Sequence, residues 1–377
     1  MLKKYQASAI SDTVFLNICI NLAKKNMGKT SPNPSVGCVI VKNGTIISTG
    51  ITSFGGRPHA EHNAIAKISD NVANLSGSTL YVSLEPCCHQ GQTGPCSDLI
   101  IKNKIARVVI AAIDSDKRMA GKSIEILRQS GIIVDLIEID EAYEVNKAFF
   151  KARKVQMPYV TLKIASSLDG KTSLINGQSK WITSSKSRKY GHYLRHLNDA
   201  ILIGKNTLIQ DNPSLDCRIA GLEEDSPIKI IITNKLDFDD NYKIFNKKVK
   251  TIVIYDEKNP ENQKNLQKFA RIDKNIEFLG APSIDGLIDL DYCLKELNKL
   301  SINSLLIEGG SAIATSFLKK NLVDEIFWFK SNKIIGLEGK NAIGELGFTS
   351  MDDAICDFKL ESVKKIDDSD ILLVYRK

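Results

Sequence analysis

The first part of the chain shows a helix-like pattern followed by two strand-like patterns. Apolar residues recur at helical spacing behind Ser11 or Asp12, either of which can cap a helix. Residues 36–41 and 45–49 read as two strands of a hairpin, because Asn43-Gly44 between them supplies the positive φ angles of a tight turn. The helical apolar positions are Val14, Phe15, Ile18 and Leu22.

Helical and strand patterns then alternate as far as residue 152. The predicted strands are 79–84, 108–113 and 132–137, and the predicted helices are 60–68, a helix after Cys96, 121–129 and 141–152. This alternation favours an α/β fold whose sheet carries helices on both faces.

A polar segment, 153–158, reads as a linker, because Pro158 disfavours helix in the residue before it. A second α/β unit is expected to follow, so that the domains are 1–152 and 159–377. Helical patterns separate several of its predicted strands, and no internal repeat is present. The predicted strands are 159–165, 200–204, 228–233, 250–255, 276–279, 304–307, 325–329 and 371–375.

Composition excludes several classes of protein. With 377 residues, 43% hydrophobic and 25% charged, the chain has the composition of a globular protein of two or three domains. The longest apolar runs are strand-sized, and Lys3 and Lys4 are not followed by a clean apolar stretch or a small-residue cleavage site. We therefore expect a cytoplasmic protein with no membrane partner. A homo-oligomer is compatible with the sequence.

The net charge of +7 is modest and scattered along the chain. It suits phosphorylated small molecules as well as nucleic acid. The chain has eight cysteines and no export signal, which favours thiols or metal ligands over disulfides. Cys87, Cys88 and Cys96 lie within ten residues, so chemistry should be sought there.

One group of residues has the composition of a catalytic zinc site. His59, Cys87 and Cys96 offer one neutral imidazole and two thiolates, which leave the fourth position of Zn²⁺ to water. Glu61 lies two residues after His59 and can reach that water without binding the metal. A carboxyl group in this position can move protons between water and a departing amine.

The match to the zinc-deaminase signature, His-x-Glu followed by Pro-Cys-x-x-Cys, is partial, because residue 90 is Gln. The second thiolate then has to come from Cys96. An alternative is a structural zinc knot, in which His59 or His89 joins Cys87, Cys88 and Cys96. Such a knot would not explain Glu61.

Three segments of this region resemble the deaminase half of the bifunctional deaminase-reductases of riboflavin biosynthesis: PNPSVG at 32–37, HAE at 59–61 and EPCCHQGQTGPC at 85–96. The resemblance implies a cytidine-deaminase-like, three-layer α/β/α domain. It also implies that Asn33 contacts the pyrimidine, although an Asn that fixes a proline-flanked turn would look the same. Gln92 and Gly94 depart from the family, which usually carries Arg or Lys and commonly Pro there.

The second unit lacks Gly-x-Gly-x-x-Gly after its first strand, but Glu308-Gly309-Gly310 forms a strand-to-helix turn that could receive a phosphate. Four ordered motifs resemble the reductase half of the same family. The resemblance implies a dihydrofolate-reductase-like fold that uses NADPH. The motifs are LKIASSLDGK at 162–171, SKWITS at 179–184, TLIQDNPSL at 207–215 with Arg218, and EGG at 308–310.

The same resemblance assigns roles position by position. Lys163 and Glu308 would lie beside the reacting carbon, and Glu308 would also contact the substrate. Trp181 could instead be a core residue, and either arginine could be a solvated surface charge. The implied substrate contacts are Ser179, Arg195, Leu215 and Arg218, and the implied NADPH contacts are Ala165, Trp181, Thr207, Asp211 and Gly310.

The sequence therefore predicts an enzyme of riboflavin synthesis that uses Zn²⁺ and NADPH. By resemblance, it deaminates 2,5-diamino-6-ribosylamino-4(3H)-pyrimidinone 5′-phosphate and then reduces the ribosyl group. Two alternatives stay open: a nucleic-acid-editing deaminase, which would leave the second unit unexplained, and a non-catalytic zinc scaffold. We expect a small-molecule substrate and no nucleic-acid partner. His192 and His196 have zinc-like spacing, but no third ligand follows them.

Overall fold

The architecture is taken from a computed structural model, which describes residues 11–68, 75–90, 94–115, 120–239, 241–245, 248–269 and 275–377. Contacts between residues divide the chain into two compact units, 1–156 and 157–377. Within the described residues, we find no helix with the length and apolar character needed to cross a membrane.

The first unit is built on a five-stranded sheet. Its strand order is β2-β1-β3-β4-β5, in which β1 runs antiparallel to both neighbours and the last three strands are parallel. The predicted α/β class is confirmed, and most element ends shift by only a few residues. The elements are α1 Asp12–Lys24, β1 Gly37–Lys42, β2 Thr45–Ile51, α2 Ala60–Ala66, β3 Thr79–Val82, α3 Cys96–Lys102, β4 Arg107–Ile110, α4 Lys122–Gln129, β5 Ile133–Leu136, α5 Asp140–Val145 and α6 Lys147–Val155.

A glycine in the sheet lets the start of α2 pack closely against β2. A Cβ atom on Gly50 of β2 would lie 2.0 Å from the carbonyl oxygen of Ala60, the first residue of α2. Only a residue without a side chain lets the helix approach so closely. Because His59 and Glu61 flank Ala60, this approach fixes both against the sheet.

The prediction of one helix over 141–152 is wrong, because Asn146 interrupts it. Asn146 has φ −115° and ψ 20° and separates α5 from α6. Its side chain accepts a hydrogen bond from the Ser35 N–H (2.8 Å) and donates one to the Ser35 carbonyl (3.0 Å). Helix α6 continues to Val155, so residues 153–155 of the segment interpreted as a linker are helical.

The second unit contains a nine-stranded sheet of order β11-β10-β9-β8-β14-β6-β15-β18-β17. Neighbouring strands are parallel except in two pairs, β15 with β18 and β18 with β17, which are antiparallel. The elements are β6 Tyr159–Ser166, β7 Lys171–Leu174, α7 Ser185–Leu197, β8 Ala200–Gly204, α8 Lys205–Asp211, β9 Ile228–Thr233, β10 Thr251–Asp256, α9 Pro260–Phe269, β11 Ile276–Ala281, β12 Ser283–Ile284, β13 Leu287–Ile288, α10 Leu290–Lys299, β14 Ser304–Ile307, α11 Ser311–Lys319, β15 Glu325–Ser331, β16 Gly339–Asn341, β17 Lys359–Lys365 and β18 Asp370–Arg376.

All eight strands predicted for this unit are present. The sequence reading missed strands without a buried apolar run. Every residue of β17 is exposed, and β7 pairs with β16 in a separate small sheet of partly exposed residues. The short strands β12 and β13 also escaped prediction.

We predict that Asn146→Ala destabilises the first unit by about 2–4 kcal/mol. The substitution removes both hydrogen bonds to the buried Ser35 backbone, and an unsatisfied buried polar group costs about 1–3 kcal/mol. Urea unfolding followed by circular dichroism measures the change. Both tryptophans, Trp181 and Trp328, belong to the second unit, so their fluorescence reports separately on that unit.

Lys154→Ala on the exposed side of α6 is the matched control and should leave the unfolding midpoint unchanged. An Asn146→Ala protein whose first unit unfolds at the wild-type urea concentration would show that these hydrogen bonds do not hold the α5–α6 junction.

Candidate functional site

His59, Cys87 and Cys96 form the group of metal-ligating side chains that the first unit brings together. Their ligand atoms all lie within 4.8 Å of one another, and His59 Nδ1 lies 3.4 Å from the Sγ atom of each cysteine. Tetrahedral zinc, with bonds of about 2.1 Å to nitrogen and about 2.3 Å to sulfur, places its ligands at comparable separations. The donor set and the spacing therefore fit zinc.

Three chain segments supply these ligands. His59 immediately precedes α2, Cys87 follows β3, and Cys96 is the first residue of α3. The Cys96 N–H donates to Cys87 Sγ (3.4 Å), and the Ser97 N–H donates to the Cys87 carbonyl (3.1 Å). These bonds hold the two cysteines together although eight residues separate them in the chain.

Hydrogen bonds within the group favour the thiolate of one cysteine. A hydrogen bond from Cys96, together with one from His59, lowers the pKa of the Cys87 thiol to about 4. The thiolate is the form that binds a metal. Cys88 and His89 lie outside the ligand group that the described residues form, so the geometry does not favour a four-ligand knot.

Glu61 lies in the first turn of α2 and is 3% exposed. Burial raises the pKa of Glu61 to about 6, and the negative charge of Cys87 adds to this effect. A carboxyl group with this pKa can gain or lose a proton near neutral pH. Its position next to the ligand group is the one predicted for a proton carrier.

Asn33 holds a turn in the structure. Its side-chain amide donates to the Gly56 carbonyl (3.0 Å), and a Cβ atom on Gly56 would lie 2.6 Å from that of Asn33. This contact favours the turn-fixing alternative, and the pyrimidine contact stays a prediction. Gln92 lies outside the described residues, and Gly94 is exposed.

The second unit contains a cavity of about 310 Å³ at the carboxyl ends of β6, β8 and β14. Most of the residues predicted for this unit line it. The sequence analysis missed Thr172, Ser173, Gln210 and Pro213, which lie inside or beside its motifs, and Ala314 and Ala342, which had no signal of their own. The predicted residues on its walls are Lys163, Ala165, Ser179, Arg195, Thr207, Asp211, Leu215, Glu308 and Gly310.

Strand pairing brings the charged residues of this cavity together. Ile307, the last residue of β14, pairs with Leu162 of β6. Glu308, which follows β14, therefore lies beside Lys163, the next residue of β6. The two charged groups are 3.8 Å apart. The Glu308 N–H donates to the Leu202 carbonyl (3.1 Å), which ties Glu308 to β8 as well.

Arg195 binds Glu308 through two parallel hydrogen bonds. Its Nε donates to Oε1 (2.8 Å) and its terminal NH2 nitrogen donates to Oε2 (3.0 Å), while the other terminal nitrogen donates to the Asp216 carbonyl (3.0 Å). Burial alone would raise the pKa of Glu308, but Arg195 and Lys163 lower it to about 2. Glu308 is therefore ionised, and Arg195 is a partly buried ion-pair partner rather than a surface charge.

A hydrogen bond to α8 holds the glycine turn at Gly309-Gly310. Thr207 Oγ1 accepts a hydrogen bond from the Gly310 N–H (3.2 Å). The turn leads into α11, so this bond joins α8 to the start of that helix.

Trp181 and Arg218 are not among the residues that line the cavity. Trp181 is 59% exposed, so its alternative interpretation as a core residue is wrong. The Arg188 guanidinium lies 4.1 Å from the centre of its ring. Arg218 is exposed, and the roles of both residues stay predictions.

The two spaced histidines have other neighbours. His192 Nδ1 lies 3.0 Å from the Asp216 carbonyl oxygen, and His196 Nδ1 lies 3.3 Å from Asp225. Neither histidine belongs to a potential metal group among the residues that the structure describes.

Comparison with family models assigns both units. Residues 158–372 match the model of the RibD C-terminal domain, and residues 10–112 match the cytidine and deoxycytidylate deaminase zinc-binding region. These matches show a cytidine-deaminase-like unit followed by a RibD reductase unit of the dihydrofolate-reductase-like fold. They support zinc and NADPH as cofactors.

Relatives match along nearly the whole chain. The chain is 40% identical over 345 residues to riboflavin biosynthesis protein RibD of Aquifex aeolicus, covering 91% of this chain and 93% of that protein. It is 32% identical over 369 residues to the Escherichia coli protein of the same name, covering 95% and 97%.

Solved structures agree with these matches. Acinetobacter baumannii RibD superposes with a TM-score of 0.86 at 32% identity, over 97% of this chain and 98% of that one. The Thermotoga maritima diaminohydroxyphosphoribosylaminopyrimidine deaminase/5-amino-6-(5-phosphoribosylamino)uracil reductase gives 0.84 at 33% identity, with the same coverage.

We predict that Cys96→Ala weakens zinc binding at least about a hundredfold. Substitution of a residue that only supports a metal ligand lowers affinity about 10–100-fold, and loss of a direct ligand should cost no less. Competition with a chromophoric chelator measures the affinity. Cys88→Ala is the matched control, since Cys88 lies outside the ligand group. Equal loss of zinc from both variants would favour the four-ligand knot.

Proposed function

Because the chain belongs to the RibD family of bifunctional riboflavin-biosynthesis deaminase-reductases, we propose that its two units act in sequence on one phosphorylated pyrimidine. The first unit deaminates 2,5-diamino-6-ribosylamino-4(3H)-pyrimidinone 5′-phosphate. The second reduces the ribosyl group to give 5-amino-6-(5-phosphoribitylamino)uracil. The observation that carries the deaminase assignment is the buried Glu61 beside the ligand group of His59, Cys87 and Cys96.

In the first reaction, water replaces the amine at ring carbon 2 and ammonia leaves. Zinc, when bound by His59, Cys87 and Cys96, lowers the pKa of a water molecule and so supplies a nucleophile near neutral pH. Glu61 takes the proton from that water and gives it to the departing amine. Burial favours this exchange, because it raises the pKa of Glu61 to about 6.

In the second reaction, C1 of the ring-opened ribose, held as its imine, is reduced. NADPH, which Ala165, Thr207, Asp211 and Gly310 would hold, would supply the hydride. The nitrogen must then gain a proton. We assign this proton to Lys163, which lines the cavity and lies 3.8 Å from Glu308. Glu308 stays ionised and orients Lys163 and the substrate.

Arg195 contributes to this arrangement through its contact with Glu308. Three of its N–H groups bind Glu308 and the Asp216 carbonyl, so its first role is to hold Glu308 in place. The substrate-phosphate contact implied by the family would use the N–H groups that remain. Ser179, Leu215 and Arg218 complete the proposed substrate contacts.

The NADPH site is proposed in the same cavity. Ala165, Thr207, Asp211 and Gly310 line it, and the Gly310 turn lies at the start of α11. A helix start of this kind favours phosphate. We also propose a cytoplasmic location, since none of the eight cysteines, all of them among the described residues, forms a disulfide.

Glu61→Gln should lower the rate of ammonia release by about 10²–10⁴-fold, because that is the usual contribution of a general acid-base group. The protein should still oxidise NADPH when it is given the deaminated substrate, since the second unit is unchanged. Ammonia release and NADPH oxidation are measured separately on zinc-loaded protein. Unchanged ammonia release would favour the zinc scaffold over the enzyme.

Arg195→Gln should lower kcat/KM for NADPH oxidation by about tenfold or more, because a bidentate charged pair is lost.

The same substitution should also change the acid stability of the second unit. The pKa of Glu308 is lowered from 4.5 to about 2, so in the wild type its stabilising contribution is present above pH 4.5 and is lost as pH falls towards 2.

Unfolding by urea at pH 3 and pH 6 tests this difference. The variant should lose less stability than the wild type on acidification between these pH values. Lys189→Gln, an exposed change on the same helix α7, is the control. Equal pH dependence of wild type and Arg195→Gln would contradict the ion-pair role.

A further inference from the structure

One buried carboxyl group of the first unit has no role in the proposed chemistry. Glu85 is 4% exposed and lies after β3, two residues before Cys87. It belongs to no group of potential metal ligands among the described residues. A buried carboxyl group is costly unless hydrogen bonds compensate it.

Among the residues that the structure describes, four donors meet this carboxyl group. Glu85 Oε2 accepts from the N–H groups of Asp114 (3.2 Å) and Gly121 (3.0 Å). Glu85 Oε1 accepts from the N–H (3.2 Å) and the hydroxyl (2.9 Å) of Ser123. These donors belong to the segment between β4 and α4 or to the first turn of α4.

Helix α4 lacks a cap of its own. Its N-cap residue is Gly121, with φ 75°, which has no side chain to bind the free N–H groups of the first turn. Those N–H groups and the positive end of the helix dipole favour a negative charge. Glu85 supplies it from a different part of the chain.

Backbone hydrogen bonds fix the segment that carries Glu85 and Cys87. The Glu85 N–H donates to the Ala112 carbonyl (2.9 Å), which extends the pairing of β3 with β4. Two residues later, the Cys87 carbonyl accepts from Ser97 of α3. The Glu85 carboxyl group also accepts from the N–H groups of Gly121 and Ser123. The start of α4 therefore adjoins the ligand-bearing segment.

We propose that Glu85 is a positioning residue of the deaminase site. Its carboxylate caps α4 from outside and ties Asp114, Gly121 and Ser123 to the segment that carries Cys87. The side chain acts through this segment, and it touches neither metal nor substrate. The proposal rests on the proposed deaminase function.

The test compares Glu85→Gln and Ser123→Ala with Glu125→Gln, an exposed change on the same helix. Glu85→Gln replaces one accepting oxygen with an NH2 group, which would then face hydrogen-bond donors. Ser123→Ala removes the hydrogen bond from the Ser123 hydroxyl to Glu85. Hydrogen exchange by mass spectrometry on metal-free protein reports on residues 120–129. The absorption spectrum of the Co²⁺-loaded protein reports on ligand geometry. Steady-state kinetics separate kcat from KM for ammonia release.

We expect exchange at the start of α4 to become at least tenfold faster in Glu85→Gln and to change less in Ser123→Ala. The Co²⁺ spectrum should shift, and kcat for deamination should fall about 10–100-fold, as for other groups that support ligands. NADPH oxidation with the deaminated substrate should stay within twofold of wild type. Glu125→Gln should match the wild type in every measurement.

Wild-type exchange and an unshifted Co²⁺ spectrum in Glu85→Gln would overturn the proposal. If Glu85→Gln does not fold, Ser123→Ala decides, and unchanged exchange and spectrum in that variant would overturn it equally. Failure of the proposed function looks different, because wild-type protein would then release no ammonia while the exchange and spectral differences between variants would remain.

Discussion

Compensation of carboxyl groups that are largely removed from water is the constraint on which both sites depend. Removing a carboxylate from water is unfavourable unless charges or hydrogen-bond donors replace the water. Glu308 is compensated by Arg195 and Lys163, and Glu85 by donors in the segment between β4 and α4 and in the first turn of α4. Each compensation joins segments far apart in sequence. The arrangement of elements around each site is therefore also the arrangement that satisfies its carboxylate.

Different compensation gives the same residue type different chemistry. Glu308 has a cationic partner on each side, so its pKa falls to about 2 and it stays ionised. Glu61 is buried beside thiols, so its pKa rises to about 6 and it can exchange a proton. A permanently charged group suits orientation in the reductase cavity. A group that titrates near neutrality suits proton transfer in the deaminase unit.

Local patterns explain which elements could be predicted. Strands such as β8 and β14 are short apolar runs buried on both faces, and their signal lies within a few residues. Strand β17 is exposed and rich in lysine at the edge of the sheet, a composition that protects an edge but hides the strand. The break at Asn146 depends on Ser35, 111 residues earlier, so no local window reveals it.

The sequence by itself determined the α/β class, the reductase motifs, the residue types of the zinc site and the choice of Glu61 as the predicted proton carrier, because each can be read from residue types and short motifs along the chain. Only the tertiary structure decided which side chains meet. It showed Arg195 paired with Glu308, Asn33 on a turn, Trp181 exposed and Glu85 at the start of α4. These contacts are set by strand order and helix packing over distances of tens to more than a hundred residues, which spacing along the chain does not encode.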